Sequence, residues 1–488
     1  MVRFRPWAPF IFKVCLALTT ALDSNPSRAT TVGETQGEGA FVHLRALQDI
    51  ALANGGSRAA GTPGYDRSAD YVADRLRQAG YQVRFEEFTF PFFEERSPPI
   101  LLTGAPEAAQ TPAPAGAVRT LANSGSGDVT GLLRPVDLGF AEDRPPETST
   151  SGCEPADFEG FERGAVALVR RGTCPFQQKV ENSTAAGASG VIIMNDGVDG
   201  RTDTFSGTLL QQASIPAVAI PYEFGRSLAA AARTERGVAV RLAVDAQAGT
   251  RATRNVLAEM PDGAPAQIIT VGAHLDSVPE GPGINDNGSG SAAVLEAALR
   301  LARAPAQPSI RVRFAFWGAE ERGLFGSRHH VNGLSQEREQ VALYINLDMV
   351  ASPNFGRFVQ GAQETTAGLA TLARGTLLSY FRDRNLPVEE RASGRGQNFG
   401  SDDISFAGKG IPTVGLHTGA EESKANAQAV LFGGAAGRPY DPCYHRSCDT
   451  MANIDRQVLE EMAGALTHTI RVLAFDGHAA APTVLAPR

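Results

Sequence analysis

Apolar residues recur at helical spacing through residues 41–54 (FVHLRALQDIALAN) and 65–79 (YDRSADYVADRLRQA), and the following YQVRFEEFTF alternates as a strand does. From TRNVLAEMPD onward the rhythm is that of an α/β domain. Strands are predicted at 267–273, 310–317, 341–347 and 411–416, and helices at 290–303 and 455–475. In between, after the Pro/Ala-rich stretch GAPEAAQTPAPAGA, the texture changes to short apolar runs such as AVALVRR, SGVIIMND and IPAVAIP. The pattern therefore predicts a split domain, with residues 41–105 and 249–480 interrupted by an insertion over 106–248. No internal repeat is found.

The opening MVRFRPWAPFIFKVCLALTTAL places Arg3 and Arg5 ahead of an apolar stretch interrupted by Lys13, with small residues near Ala21 and Ala29. It reads as a signal peptide over residues 1–29, which predicts a secreted or periplasmic protein. Nothing downstream is long and apolar enough to span a bilayer. A net charge of -8 argues against a nucleic-acid partner, which needs a basic face. Removing the leader takes Cys15 with it and leaves Cys153, Cys174, Cys443 and Cys448. In an oxidising compartment such a set predicts two disulfides. Three pairings are formally open, and Cys153 with Cys174 and Cys443 with Cys448 is preferred because each pair lies within one segment.

Candidate chemistry gathers at the ends of the predicted strands. QIITVGAH ends in His274, RVRFAFWGAEE in Glu320 and Glu321, and ALYINLD in Asp348. Ligands of open α/β sheets bind beyond the carboxyl ends of the strands, so these side chains are placed to converge. The glycine-rich AHLDSVPEGPGINDNGSG adds Asp276 and Asp286, and His445 lies between two cysteines. Each residue alone has a bland reading: a core histidine, a solvated glutamate pair, a capping aspartate. Together, two imidazoles and three carboxylates would cost too much desolvation if nothing paired them. That donor set suits zinc best, with cobalt or manganese as substitutes. Five side chains exceed what one open catalytic zinc takes, and a carboxylate shared by two ions fits the count.

AHLDSV, GINDNGSG, FWGAEERGLFGS, INLDMV and DPCYHRSCDT, in this order over residues 254–475, resemble the motif set of the secreted di-zinc aminopeptidases, the aminopeptidase Y and bacterial leucine aminopeptidase type. SGCEPADFEGFERGAVALVRRGTCPF with AAGASGVIIMND resembles the protease-associated (PA) domain that some members carry as an insertion. The resemblance implies a mixed, mostly parallel sheet flanked by helices, the zinc exopeptidase fold, with a β-rich inserted domain. It implies two zinc ions and hydrolysis of the first peptide bond of peptides or proteins with free N-termini. Residue by residue, it makes Asp286 the bridging carboxylate, His274 and Asp348 ligands of one ion, and Glu321 and His445 ligands of the other. Glu320 matches the general base, and Asp276 the carboxylate that orients His274. Tyr444 matches a phenol that stabilises the tetrahedral intermediate.

The chain departs from the family at Ser401-Asp402-Asp403, where relatives often show Ser-Asp-His, and at His417, where apolar-preferring relatives tend to carry an aromatic. Glu421 and Glu422 follow in the same loop. If His417 and Glu422 line the pocket for the first side chain, lysine or arginine should be cleaved about as well as leucine; otherwise both glutamates face water. Two other activities stay open. A glutamate carboxypeptidase-like enzyme of the same fold would need a basic residue for a terminal carboxylate, such as Arg395 or Arg438. A glutaminyl-cyclase-like acyltransferase would normally bind one zinc.

Overall fold

The computed structural model describes residues 39–105, 110–139, 150–198, 200–260, 267–334, 341–361, 368–392 and 400–475. The proposed signal peptide with Cys15, the 105/106 boundary, Arg395 and residues 476–480 fall wholly or partly outside them.

Two helices come first, α1 (Gly39–Ala53) and α2 (Pro63–Gln78). Thr62 caps α2 with Pro63 at its first turn, the arrangement that satisfies an orphan N–H while presetting φ. Strand β1 (Gln82–Gly104) then runs into the insertion. There follow β2 (Thr111–Pro112), β3 (Arg119–Thr120), β4 (Gly127–Pro135), β5 (Val166–Arg170), α3 (Phe176–Ala185), β6 (Gly190–Met194), β7 (Ala217–Ile220) and α4 (Tyr222–Ala232). Strand β8 (Ala239–Glu259) returns beside β1.

The remaining elements are β9 (Ile268–His274), α5 (Gly290–Leu301), β10 (Arg311–Trp317), α6 (Phe325–Gly333), β11 (Val341–Leu347), β12 (Phe358–Gly361) and α7 (Leu369–Arg382). After them come β13 (Glu389–Ala392), α8 (Asp403–Ala407), β14 (Thr413–His417), α9 (Asn426–Phe432) and α10 (Arg456–Ala474).

The strands form one continuous path, β13-β12-β14-β11-β9-β10-β8-β4-β5-β6-β7-β3. At its centre β9, β10, β11 and β14 are parallel, while β8 and β12 are antiparallel to their neighbours β10 and β14. Every residue of β9 is buried, as expected for a parallel strand covered on both faces. On one face α1, α2, α5, α7 and α10 pack a large apolar core that includes Leu44, Val72, Leu295, Leu377 and Leu466. On the other, Leu257, Trp317, Val331, Tyr344 and Phe406 form a second cluster. This is the mixed, mostly parallel α/β architecture expected from the motifs.

In the insertion β4 to β7 are parallel, with apolar clusters on both faces. Two short helices, α3 and α4, lie between the strands that the apolar runs of this segment form. The path into it differs from expectation. The Pro/Ala-rich composition of GAPEAAQTPAPAGA reads as a linker, whereas the chain reaches it along a ribbon in which β1 and β8 pair antiparallel from Gln82↔Glu259 to Gly104↔Ala239, with irregularities only around Ser97. Thr111 and Pro112 fold back onto Thr103 and Leu102.

Candidate metal centre

The strand order places the carboxyl ends of β9, β10 and β11 side by side. His274 is the last residue of β9, Glu320 and Glu321 follow β10, and Asp348 follows β11. Asp286 lies in the segment leading into α5, and His445 comes from the turn between α9 and α10 at φ 55°.

These side chains meet. His274 Nε2 lies 3.4 Å from both Asp286 Oδ1 and Asp348 Oδ1 and 4.0 Å from Glu320 Oε2. His445 Nε2 lies 3.1 Å from both Asp286 Oδ2 and Glu321 Oε2. Asp286 therefore faces one imidazole with each oxygen. Two sets, His274 with Asp286 and Glu321, and His274 with Glu320 and Asp348, offer donor atoms within 4.8 Å of one another.

The electrostatics are those of an anionic cluster short of positive charge. Burial alone would lower the His274 imidazole, but Asp348, Glu320 and Asp286 hold it well above its ordinary value. His445 is raised to about 10, its Asp286 and Glu321 bonds outweighing burial. Burial opposes the charge on Asp286, yet both histidines hold it well below the carboxylate range. Glu321 is raised to about 7 by burial and by the Asp286 charge. Burial lifts Glu320 well above 4.5, against the His274 charge and with help from Glu321 and Asp402. Asp286 Oδ2 and Asp348 Oδ1 face only an imidazole nitrogen, at 3.1 and 3.4 Å, and Glu321 Oε1 is buried with no hydrogen-bond donor among the described residues. Buried carboxylate oxygens of this kind call for a cation, and nitrogen with oxygen donors fit zinc.

The supporting shell explains the glycine-rich segment. Residues 281–290 are all buried. A Cβ on Gly281 would come 2.3 Å from Arg446 O, and one on Gly290 would come 2.2 Å from Asn287 Oδ1, so glycine permits close backbone approach. Asp449 accepts from the N–H groups of Asn285 and Asp286 at 2.8 and 2.9 Å. Asn285 reaches Asp441 (2.7 Å) and Ser352 (3.1 Å), and Asn287 reaches Leu347 O at 2.9 Å, which ties this segment to the one carrying Asp348. Both disulfides form, Cys153–Cys174 and Cys443–Cys448, and the second brackets His445 with a Cα–Cα distance of 5.3 Å.

Asp276 sits differently from what the motif suggested. Its backbone carbonyl, not its carboxylate, is the nearer partner of His274 Nδ1, at 3.1 against 3.8 Å. The carboxylate instead accepts from the N–H groups of Glu320 (3.1 Å) and Glu321 (3.4 Å).

Sequence reasoning missed Arg58, fully buried between α1 and α2. Its guanidinium donates to the carbonyls of Leu275, Pro282 (2.9 Å) and Gly283 (2.6 Å), and burial lowers it to about 10 against the pull of Asp276 and Asp449. It places a cation behind the acidic cluster. Nothing in SRAAGTPG announces this, because an arginine in a loop is ordinarily solvated.

Tyr444 stacks on His445 with ring centroids 3.8 Å apart, and burial followed by the charges of Asp286 and Glu321 raises its phenol. His417 is buried and its Nδ1 bonds to the Asp348 carbonyl at 2.7 Å, so it lies behind that residue. Glu422 pairs with Arg391 at 3.2 Å and accepts from Ala420 N–H at 2.9 Å, so its carboxylate is already neutralised. Arg438 is exposed.

Converging carboxylates and imidazoles at the strand ends define a metal-dependent hydrolase. The model of peptidase family M28 matches residues 255–470, and that of the PA domain matches residues 139–228. An aminopeptidase of Pseudomonas aeruginosa is 42% identical over 443 residues, 89% of this chain and 80% of that protein. A probable lipoprotein aminopeptidase of Mycobacterium tuberculosis is 39% identical over 454 residues, covering 89% and 84%. Among solved structures, the aminopeptidase from Aneurinibacillus sp. strain AM-1 superposes with a TM-score of 0.65 at 27% identity, over 89% of this chain and 94% of that one. A zinc aminopeptidase from Bacillus subtilis shares the fold with a TM-score of 0.62 at 23% identity, covering 89% and 95%. The chain belongs to peptidase family M28. It is a metallo-aminopeptidase with an inserted PA domain, and the family implies zinc.

Proposed function

We propose that this aminopeptidase is exported and holds two zinc ions, bridged by Asp286. His274 and Asp348 complete one set of ligands, and Glu321 and His445 the other. The observation that carries this reading is the pair of imidazole nitrogens, one against each oxygen of Asp286, beside a buried Glu321 oxygen that meets no donor among the described residues. When bound, the ions supply a water of lowered pKa and polarise the scissile carbonyl.

Glu320 takes the proton from the attacking water and delivers it to the leaving amine. Burial favours its protonated form, which suits a group that must hold a proton between the two steps. Asp276 fixes where that carboxylate points through the N–H bonds of the turn that carries it. Tyr444, against His445 at the rim, donates to the oxyanion of the tetrahedral intermediate. Excess carboxylates receive the substrate's free amine, which selects the first peptide bond of peptide and protein N-termini.

His417 supports Asp348 from behind, and Glu422 belongs to the Arg391 pair at the pocket wall. Residues 41–105 and 249–480 form the catalytic part, and the insertion over 106–248 limits access to it. Export is supported by the two disulfides and by the leader-like first 29 residues. No helix among the described residues is long and apolar enough to cross a membrane.

Elemental analysis of active protein, joined to a panel of free and N-acetylated peptides, tests the reading. Two zinc ions per chain and loss of cleavage on acetylation are expected. A single ion in fully active protein overturns the di-zinc assignment, and cleavage of acetylated peptides overturns the amine-recognition role.

A further inference from the structure

Glu320 and Glu321 do not stand on regular structure. They sit on the turn over residues 318–324 between β10 and α6, closed by Gly326 at the start of α6, in which Ala319 and Leu324 both adopt left-handed backbone at φ 57° and 62°. A turn of this kind needs outside support to hold two carboxylates in place. Asp276 supports its middle. Its two ends converge on one side chain, Asn255 of β8, which is fully buried.

Asn255 Oδ1 accepts from Gly318 N–H at 3.1 Å, and Nδ2 donates to Gly326 O at 2.9 Å. Nδ2 also donates to Glu86 Oε2 at 2.9 Å, across the β1–β8 pair where Glu86 and Asn255 are in register. The partners fix the amide orientation: the oxygen faces a donor and the nitrogen faces two acceptors. Gly326 N–H closes the same turn onto Gly318 O at 2.9 Å. The fit leaves no room, because a Cβ on Gly326 would lie 2.3 Å from Asn255 Oδ1 and 2.4 Å from Gly318 O. Glu86 extends the clamp to the helix that follows, bonding His330 Nδ1 of α6 at 3.1 Å.

We infer that Asn255 is a positioning residue for the reaction: it pins both ends of the turn and thereby sets the carboxylate of Glu320 against the metal-bound site. It touches neither ligand nor reacting atom and acts through the Gly318 and Gly326 backbone. The inference rests on the reading of Glu320 as the general base. A shift of about 1 Å in such a group lowers turnover on the order of a hundredfold while leaving substrate contacts in place.

Kinetics of Asn255→Ala and Gly326→Ala, with saturating zinc and leucine p-nitroanilide as probe, test it. The first removes the clamp, and the second pushes the turn off an intact Asn255. Each is expected to lower kcat at least tenfold, to leave KM within about threefold, and to displace the acidic limb of the kcat–pH profile. Leu473→Ala, in the buried last turn of α10, supplies a comparable loss of Tm with full kcat. Retention of kcat within twofold in Asn255→Ala overturns the inference, as does a loss that further zinc restores. Should Asn255→Ala fail to fold, Gly326→Ala decides on the same criteria. Glu320→Gln separates the two levels of the argument. If it keeps kcat, the general-base reading fails; if it loses kcat while both clamp variants keep theirs, only the role of Asn255 fails.

Discussion

The catalytic part and the insertion both bury charge, but they answer it differently. In the insertion the fully enclosed cations are Arg170 and Lys179. Arg170 donates to the carbonyls of Gly139 and Asp196, and Lys179 to the carbonyl of Ser151. Burial lowers Lys179 to about 8, with Asp157 and Asp137 opposing. Backbone oxygens answer both charges, although Arg170 Nε has no hydrogen-bond partner among the described residues. Around His274 the buried groups are carboxylates in excess of the two imidazoles that face them, and Glu321 Oε1 meets no donor among the described residues. A fold that only needs stability closes its polar groups. One that leaves acceptors open at converging strand ends is shaped for something that arrives later, here a divalent metal.

The most severe break of this contrast is to remove the shared anion. Asp286→Asn is expected to lower kcat by a thousandfold or more and to reduce bound zinc, read by turnover and elemental analysis. Retention of both would mean that Asp286 is a scaffold residue like Arg170. Next comes the closed side. Lys179→Met leaves the Ser151 carbonyl without its donor and should cost about 1–3 kcal/mol in unfolding free energy. In denaturant titration this appears as a lower midpoint, with kcat unchanged.

A third test uses pH. Burial opposes the charge on Glu86, but bonds from His330 and Asn255 hold it at about 2, down from 4.5. A depressed carboxylate contributes stability that is complete above 4.5 and is lost as pH falls through about 2. Glu86→Gln should therefore flatten the dependence of stability on pH within that window, and an unchanged acid-unfolding curve would remove Glu86 from the network. The smallest effect concerns the proposed pocket wall. Arg391→Ala releases Glu422, so kcat/KM for an N-terminal lysine relative to leucine should rise a few-fold; an unchanged ratio would place Glu422 away from the bound side chain.

Much of the catalytic half was legible because burial imposes pattern. The strands ending at His274, Trp317 and Leu347 are apolar runs between turn signals, and their structural limits fall within a residue of the predicted ones. Helix α10 carries its apolar face at regular spacing, with Val458, Met462, Leu466, Ile470 and Leu473 all buried. Both disulfides follow from locality. The length of the β1–β8 ribbon was not legible, since much of it is exposed and alternation fades where no face is buried. Prolines 91, 98 and 99 further disguise β1, as proline ordinarily argues against a strand.

In the candidate site, His274, Glu320, Glu321 and Asp348 announced themselves by type and by position at strand ends, and Asp286 and His445 by type within a glycine-rich segment and between two cysteines. Those that hold them did not. Arg58, Asn255, Asn285 and Asp449 work through long-range hydrogen bonds, such as the one from Asn285 N–H to Asp449, 164 positions along the chain. Such bonds have no periodicity and no composition. The pocket was misleading for a related reason: the sequence shows Glu422 but not the Arg391 that answers it.

The ribbon that carries the chain out to the PA domain has a meaning for how such a protein could come into being. Because β1 and β8 stay in register as far as Gly104 and Ala239, the foreign segment departs and returns at neighbouring points. A shorter ancestor would need only a tight turn joining the two strands at some rung, for instance where Glu87 faces Arg254. Acquiring the extra module then amounts to lengthening a hairpin at its tip, a change that leaves the parent sheet's order and hydrogen bonds untouched. The same geometry lets the module be gained, lost or exchanged between lineages without redesigning the centre it accompanies.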